Sequence, residues 1–243
     1  MKRLYEKSEL SFSLVWIVVY CVLMSAGDNF SSEVGISNII SLPVACILSA
    51  VLLLFIKKNS LCKKYGLCKP KVQAKEMLYY IPLIILLFAN VMHGVKLNVS
   101  VGEAVLYVLT MLCVGLLEEL IFRGMLFKAM EKDGPKTAVA VSSITFGIGH
   151  IINLFNGSGA ELIPNLLQVV YAIAAGCMFV MIFLKSKSLI PCIVLHGVFN
   201  ALSVFADEIA LTVRDRILSC LFLVTVSGAY GVYLAFSIKK KTT

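Results

Sequence analysis

Eight apolar runs, most of them near twenty residues long, are strung along this chain and parted by short polar segments rich in lysine. A bilayer core about 30 Å thick asks for runs of that length from a spanning helix. In hydrocarbon every backbone amide must be satisfied within its own segment, so such runs have to be helices. They fall at about Phe12–Gly27, Ile36–Ile56, Glu76–Met92, Val101–Met130, Thr137–Phe155, Pro164–Leu184, Leu189–Ala206 and Arg216–Ser237. The expected fold class is all-α, a polytopic membrane protein of about eight transmembrane helices. Composition agrees: 59% of residues are hydrophobic and 15% charged, whereas a soluble domain is about half apolar and a quarter charged.

Charge placement orients the bundle. With both termini on one side, eighteen Lys and Arg lie on that side, including seven lysines between 57 and 75 and the tail Lys239, Lys240 and Lys241. The opposite loops hold Lys96, Arg214 and Arg216, and most of the loop carboxylates (Asp28, Glu33, Glu103, Glu161, Asp207, Glu208 and Asp215). The positive-inside rule then predicts cytoplasmic termini. Because the net charge of +8 sits in these loops, it points to a lipid bilayer as partner and not to nucleic acid. The first run follows a basic start, as in a signal peptide, but Met24 is too bulky for the third position before a cut after Ala26, so a first helix is expected.

Six of the eight cysteines stand singly in apolar runs, and Cys62 and Cys68 are spaced too widely for the usual paired zinc ligands. No internal repeat or second domain is visible. The chain reads as a single transmembrane domain over 1–243, with N-terminal helices and a basic loop over 1–100, a polar-residue-bearing core over 101–206, and a last helix and basic tail over 207–243.

That core carries ionisable residues at membrane depth, where each costs about 2.5–3.5 kcal/mol on insertion scales and is usually functional. In the fourth run, CVGLLEELIFRGMLF places Glu119 and Arg123 four apart, on one helical face with the acid N-terminal to the base. Glu118 is turned about 100° away and faces something else. In the fifth run Phe146 and His150 share a face, and Gly147 and Gly149 between them admit a neighbouring backbone. In the seventh His196 and Asn200 share a face, with Gly197 beside the histidine. The third histidine, His93, is expected at a solvated loop edge. Any one of these groups has an innocent reading as a buried ion pair or an interhelical hydrogen bond. Together they supply a carboxylate base, imidazoles and an amide donor, enough to activate a water and hold the oxyanion formed on a carbonyl. A catalytic zinc on Glu118, His150 and His196 is the alternative chemistry, and it requires convergence within about 2 Å of one point. Counted along the runs, Glu118 and His196 lie nearer the lysine-rich side and His150 nearer the other. The fifth helix must therefore start late, tilt, or break near Gly147.

These segments resemble the CAAX protease and bacteriocin-processing family of intramembrane proteases, also called the Abi family. Its EExxxR motif is matched by Glu118, Glu119 and Arg123, its FxxxH motif by Phe146 and His150, and its HxxxN motif by His196 and Asn200. The resemblance covers about Val101–Ala206. It implies an endopeptidase in which Glu118 activates water with His150, His196 and Asn200 form the oxyanion site, and Glu119 and Arg123 support them. It leaves open a metal-dependent mechanism, since the family includes enzymes thought to use one. The substrate implied is a peptide or membrane-anchored protein reached from the cytoplasmic side, in pheromone or bacteriocin maturation, self-immunity or, less favoured, CAAX processing. A bacterial plasma membrane is the expected location. The rival class is a non-enzymatic transporter or immunity protein that uses the buried Glu and His as ion or binding sites.

Overall fold

The computed structural model describes residues 1–156, 159–207 and 211–239; Glu208, Lys240 and Lys241 of the charge count lie outside them. Six helices are long and apolar enough to cross a membrane. After a short α1 (Lys2–Lys7) these are α2 (Glu9–Val34), α3 (Ser41–Lys58), the continuous rod Val101–Glu131, the rod Pro135–Leu154, α8 (Leu162–Ser186) and α10 (Val213–Lys239). The other two expected passes are shorter. Residues 74–90 hold a 3₁₀ turn, the seven-residue α4 (Ile81–Leu87) and a second 3₁₀ turn, and α9 covers Ile190–Leu202.

The third pass is interrupted for a local reason. Pro82 sits in the first turn of α4, a position where its missing N–H costs nothing and a helix readily begins. The three residues before Ile81, Leu78, Tyr79 and Tyr80, have φ of 49°, 52° and 59°, a left-handed conformation that non-glycine residues adopt only at a cost. The Tyr230 hydroxyl donates to the Met77 carbonyl at 2.8 Å and pins this turn to α10.

Alternation of the passes gathers the loops on two faces. On one, the lysine-rich face, Leu189 N–H donates to the Gly66 carbonyl, Lys71 N–H to that of Ser186, and Lys64 pairs with Glu9. On the other, Lys96 N–H donates to the Phe205 carbonyl and Asn156 reaches Asp28. His93 belongs to this lysine-poor face and is half-buried, its Nε2 2.9 Å from the Ser219 hydroxyl on α10, so it is not simply a solvated loop residue.

Each long helix separates an outward and an inward side. On α2, Leu14, Val15, Val18 and Val22 are exposed, as lipid-facing residues should be, while Phe12, Trp16, Tyr20 and Met24 recur every four residues and are buried. The rod from Val101 opens as α5 (Val101–Glu118) with a capping box in which Ser100 and Glu103 exchange side-chain and backbone bonds. It becomes π-helical over Glu119–Phe127 and ends as α6 (Lys128–Glu131). The next rod is α7 (Pro135–Gly149), which tightens to 3₁₀ at His150–Leu154. The expected break therefore falls at His150 itself, one turn past Gly147.

Packing of α5 on α9 sets the depth of the site. A Cβ added to Gly115 would stand 2.5 Å from the Gly197 nitrogen, 2.7 Å from its Cα and 3.2 Å from the His196 carbonyl carbon. Gly147 makes a similar approach to α8, while Gly149 has open space beside it. Gly115→Ala is expected to cost about 1–3 kcal/mol through overpacking and to displace His196. Gly228→Ala on α10, where a Cβ meets nothing within 4 Å, should leave unfolding in mild detergent unchanged and serves as the control.

Candidate active site

Where α5 passes into the π-helical segment, Glu118 is the last α-helical residue and Glu119 the first π-helical one. Short π segments widen a helix and re-aim its side chains, often at functional sites. All nine residues from Glu119 to Phe127 are buried. Ser142 of α7 donates its hydroxyl to the Phe122 carbonyl at 2.8 Å, which fixes this segment against the next rod.

Arg123 and Glu119 are both fully buried. Arg123 Nη1 donates to Glu119 Oε1 at 2.8 Å. Among the described residues no acceptor meets Arg123 Nε or Nη2. The guanidinium instead lies 3.9 Å above the Phe146 ring and 5.1 Å from that of Phe179, whose π faces favour a desolvated cation.

His196 of α9 joins this pair to Glu118. Its Nδ1 is 2.9 Å from Glu119 Oε1 and its Nε2 is 3.3 Å from Glu118 Oε2. The Tyr20 hydroxyl of α2 donates to Glu118 Oε1 at 2.7 Å. A continuous chain results: Arg123, Glu119, His196, Glu118, Tyr20. The partner of Nδ1 assigns its proton. Glu119, faced by Arg123, is the acceptor for an Nδ1–H, which leaves Nε2 turned towards Glu118 Oε2, an oxygen with no hydrogen-bond partner among the described residues. Phe179 stacks on the His196 ring with centroids 5.7 Å apart, and Phe146 meets it edge-on at 5.6 Å. The imidazole is thus gripped on its faces as well as at both nitrogens.

His150 and Asn200 occupy a different part of the site. Asn165 of α8 donates its Nδ2 to the His150 carbonyl at 2.8 Å, holding the junction where α7 tightens. The His150 ring packs edge-on with Phe146, with centroids 5.2 Å apart. With Glu118 and Tyr20, His150 and Asn200 line a cavity of about 1010 Å³ whose walls also carry Asp28, Asn153, Asn156 and Gln168. His196 stands behind that cavity. It lines a smaller, apolar recess of about 60 Å³, together with His150, Phe146, Phe179 and Asn200.

Of the six residues singled out from the motifs, four are therefore joined by direct contacts and two face the shared cavity. Glu118 accepts a hydrogen bond from Tyr20, while its other oxygen lies 3.3 Å from His196 Nε2 and has no hydrogen-bond partner among the described residues; Glu118 and His150 line the same cavity without a direct bond between them. Glu118, His150 and His196 are not disposed as ligands either. Both His196 nitrogens are turned to carboxylates, and among the described residues no group of three His, Cys, Asp or Glu side chains is arranged to hold an ion. That includes Cys62 and Cys68, which are free thiols.

Tyr20 and Phe179 escaped the sequence reading. A hydroxyl at mid-span on the buried stripe of α2 was the available signal for Tyr20. A phenylalanine among apolar neighbours offers none.

Residues 100–202 match the family model described as type II CAAX prenyl endopeptidase, Rce1-like. The match begins at the Ser100 cap of α5 and ends with the last residue of α9, and so takes in all three motifs; over that segment, less than half of the chain, the sequence is similar to this family. No curated protein and no solved structure matches the chain.

Proposed function

We propose that this chain, similar to the Rce1-like family over residues 100–202, is an intramembrane endopeptidase that hydrolyses a peptide bond with a water activated by Glu118. The observation that carries this reading is the setting of Glu118. Its carboxylate lies at the inner end of a cavity of mixed polar and apolar lining, large enough for a peptide, with Tyr20 holding one oxygen and His196 facing the other.

The chemistry follows from those contacts. A water in the cavity gives a proton to Glu118 as its oxygen attacks the peptide carbonyl carbon. His196, oriented by Glu119 and Arg123, shares that proton with Glu118 and keeps the carboxylate poised. The His150 and Asn200 side chains, which line the same cavity, supply N–H donors to the oxygen that becomes negative. Collapse of the tetrahedral intermediate breaks the C–N bond, and the proton held between Glu118 and His196 passes to the leaving amine. This reading moves His196 from the oxyanion site, where the resemblance puts it, to the base. It gives its place beside Asn200 to His150. The arrangement of donors favours a glutamate-activated water, and no step is routed through a metal.

The substrate is a peptide or membrane-anchored protein, and pheromone or bacteriocin maturation or self-immunity fits a lysine-oriented bacterial plasma-membrane protein better than CAAX processing does. Mass spectrometry of membrane peptides from cells carrying the active or the Glu118-substituted chain tests the proposal. Products present only with Glu118 support it, and identical peptide sets overturn it.

Tyr20 is a positioning residue here. Tyr20→Phe keeps the ring and its packing but removes the donor to Glu118. A hydrogen bond to a charged group contributes about 1.5–3 kcal/mol, so cleavage is expected to slow roughly 10- to 100-fold. The pH profile of cleavage should shift with it, which a purely structural role for the hydroxyl would not produce.

A further inference from the structure

We infer that Glu118 is served from the lysine-poor face of the membrane, so that the substrate is a peptide segment already translocated to, or inserted from, the side opposite the lysine-rich loops. This rests on the endopeptidase reading for the word substrate, but the access route itself follows from the walls of the cavity.

The lining comes from one half of the bundle. On α2 it runs from Tyr20 towards Ser32, on α5 from Glu103 to Glu118, on α8 from Pro164 to Tyr171, and on α10 from Arg216 to Leu223. In each case these are the parts nearer the loops that hold Lys96 and Asp207. Exposed residues of those loops, among them Ser37, Asn98, Gly159 and Glu161, form its rim. Glu118 lies seventeen residues down from Val101, about 25 Å at the rise of an α-helix. The cavity is therefore a funnel reaching more than halfway through the bilayer.

The other side is shut. Beneath Glu118, towards the lysine-rich loops, Leu120, Ile121, Arg123 and Phe127 are fully buried. Tyr65 and Leu189 are buried there too, and a Cβ on Gly66 would stand 2.9 Å from the Leu189 nitrogen. Phe122, one turn beneath Glu118, closes the floor of the cavity, and no residue of the lysine-rich loops appears among its walls. With the termini cytoplasmic, as the charge asymmetry requires, the funnel opens outside the cell. An export or insertion reaction must then supply the substrate before cleavage. The carboxylates of Asp28, Glu103 and Glu161 around the opening favour the approach of cationic groups.

Two native thiols report the two faces. Cys21 lines the funnel, and Cys62 lies in the lysine-rich loop. In chains retaining one or the other as the single cysteine, a membrane-impermeant, quaternary-ammonium thiol reagent added to intact cells is expected to label Cys21 and spare Cys62, with both labelled after permeabilisation. If replacing the other cysteines prevents folding, Ser25→Cys, also on the funnel wall, is read in the same way after its adjacent thiols are blocked. Labelling of Cys21 only in inside-out vesicles, labelling of both thiols from the same side, or no labelling from either side overturns the inference. The measurement is repeated in Glu118→Gln, where no catalysis is needed. A failed access route is thereby told apart from a failed endopeptidase reading.

Discussion

Glu118→Gln is expected to slow peptide cleavage by about 10²- to 10⁴-fold, the range over which a positioned general base contributes, while thermal unfolding stays within error of the parent chain. The substitution is close to isosteric. A Gln at 118 still offers a carbonyl oxygen to the Tyr20 hydroxyl, which now sits 2.7 Å from Oε1, and an amide to the region beside His196 Nε2. It cannot accept a proton from water. Loss of rate with retained stability therefore isolates the base. The transporter reading parts from this one at Asn200. An ion pathway built on Glu118 survives removal of Asn200, and gradient-driven uptake appears in proteoliposomes. A peptidase that stabilises its oxyanion with Asn200 loses rate when that amide becomes alanine. Unchanged cleavage in Glu118→Gln would remove the base and with it the whole mechanism. A chelator that abolishes cleavage would argue for a rearranged donor set around a metal.

Charge at membrane depth made the site visible in the sequence, and for a physical reason. Glu118, Glu119 and Arg123 are too costly in hydrocarbon to be placed there idly, so their positions announce themselves. The shared face of Glu119 and Arg123 also follows from helical spacing alone. Choice of partner does not. How near His196 comes to Glu118 depends on how closely α5 and α9 approach, and that is set by Gly115 lying against Gly197, a contact between residues with no side chain to read. Tyr20 is hidden for a related reason: within the Phe12, Trp16, Tyr20, Met24 stripe an aromatic ring reads as core, and only the fold shows its hydroxyl aimed at a carboxylate. The six long helices were legible from hydropathy, but the interruption of the segment expected as the third pass was not, because three left-handed residues at 78–80 are a tertiary compromise held by Tyr230. The inferred access route also departs from the cytoplasmic approach expected from the motifs. Motif depth suggests the cytoplasmic side, whereas the inferred route follows the cavity walls, which lie in the half of the bundle nearer the lysine-poor loops.

Removing Arg123 alone is expected to be the most destabilising single change in the site. Arg123→Met leaves the Glu119 carboxylate fully buried with only His196 Nδ1 against it, and stranding one member of a buried pair costs about 3–5 kcal/mol. Methionine roughly preserves the packing against Phe146 and Phe179, so the loss reports on charge and not on a cavity. The second change decides between support and specificity. In Glu119→Gln/Arg123→Met no buried charge is left unpaired, and such replacements are often close to neutral for stability. The double variant should therefore recover most of the unfolding free energy, measured by denaturation with SDS in mixed micelles. Activity should not recover with it, because His196 Nδ1 then faces a neutral amide that can present either its oxygen or its N–H, and the imidazole loses the fixed acceptor that orients it. Stability restored without cleavage would assign Glu119 and Arg123 to orienting the imidazole. Restoration of both would reduce the pair to a structural tie between the π-helical segment and its neighbours, and would leave His196 to act without them.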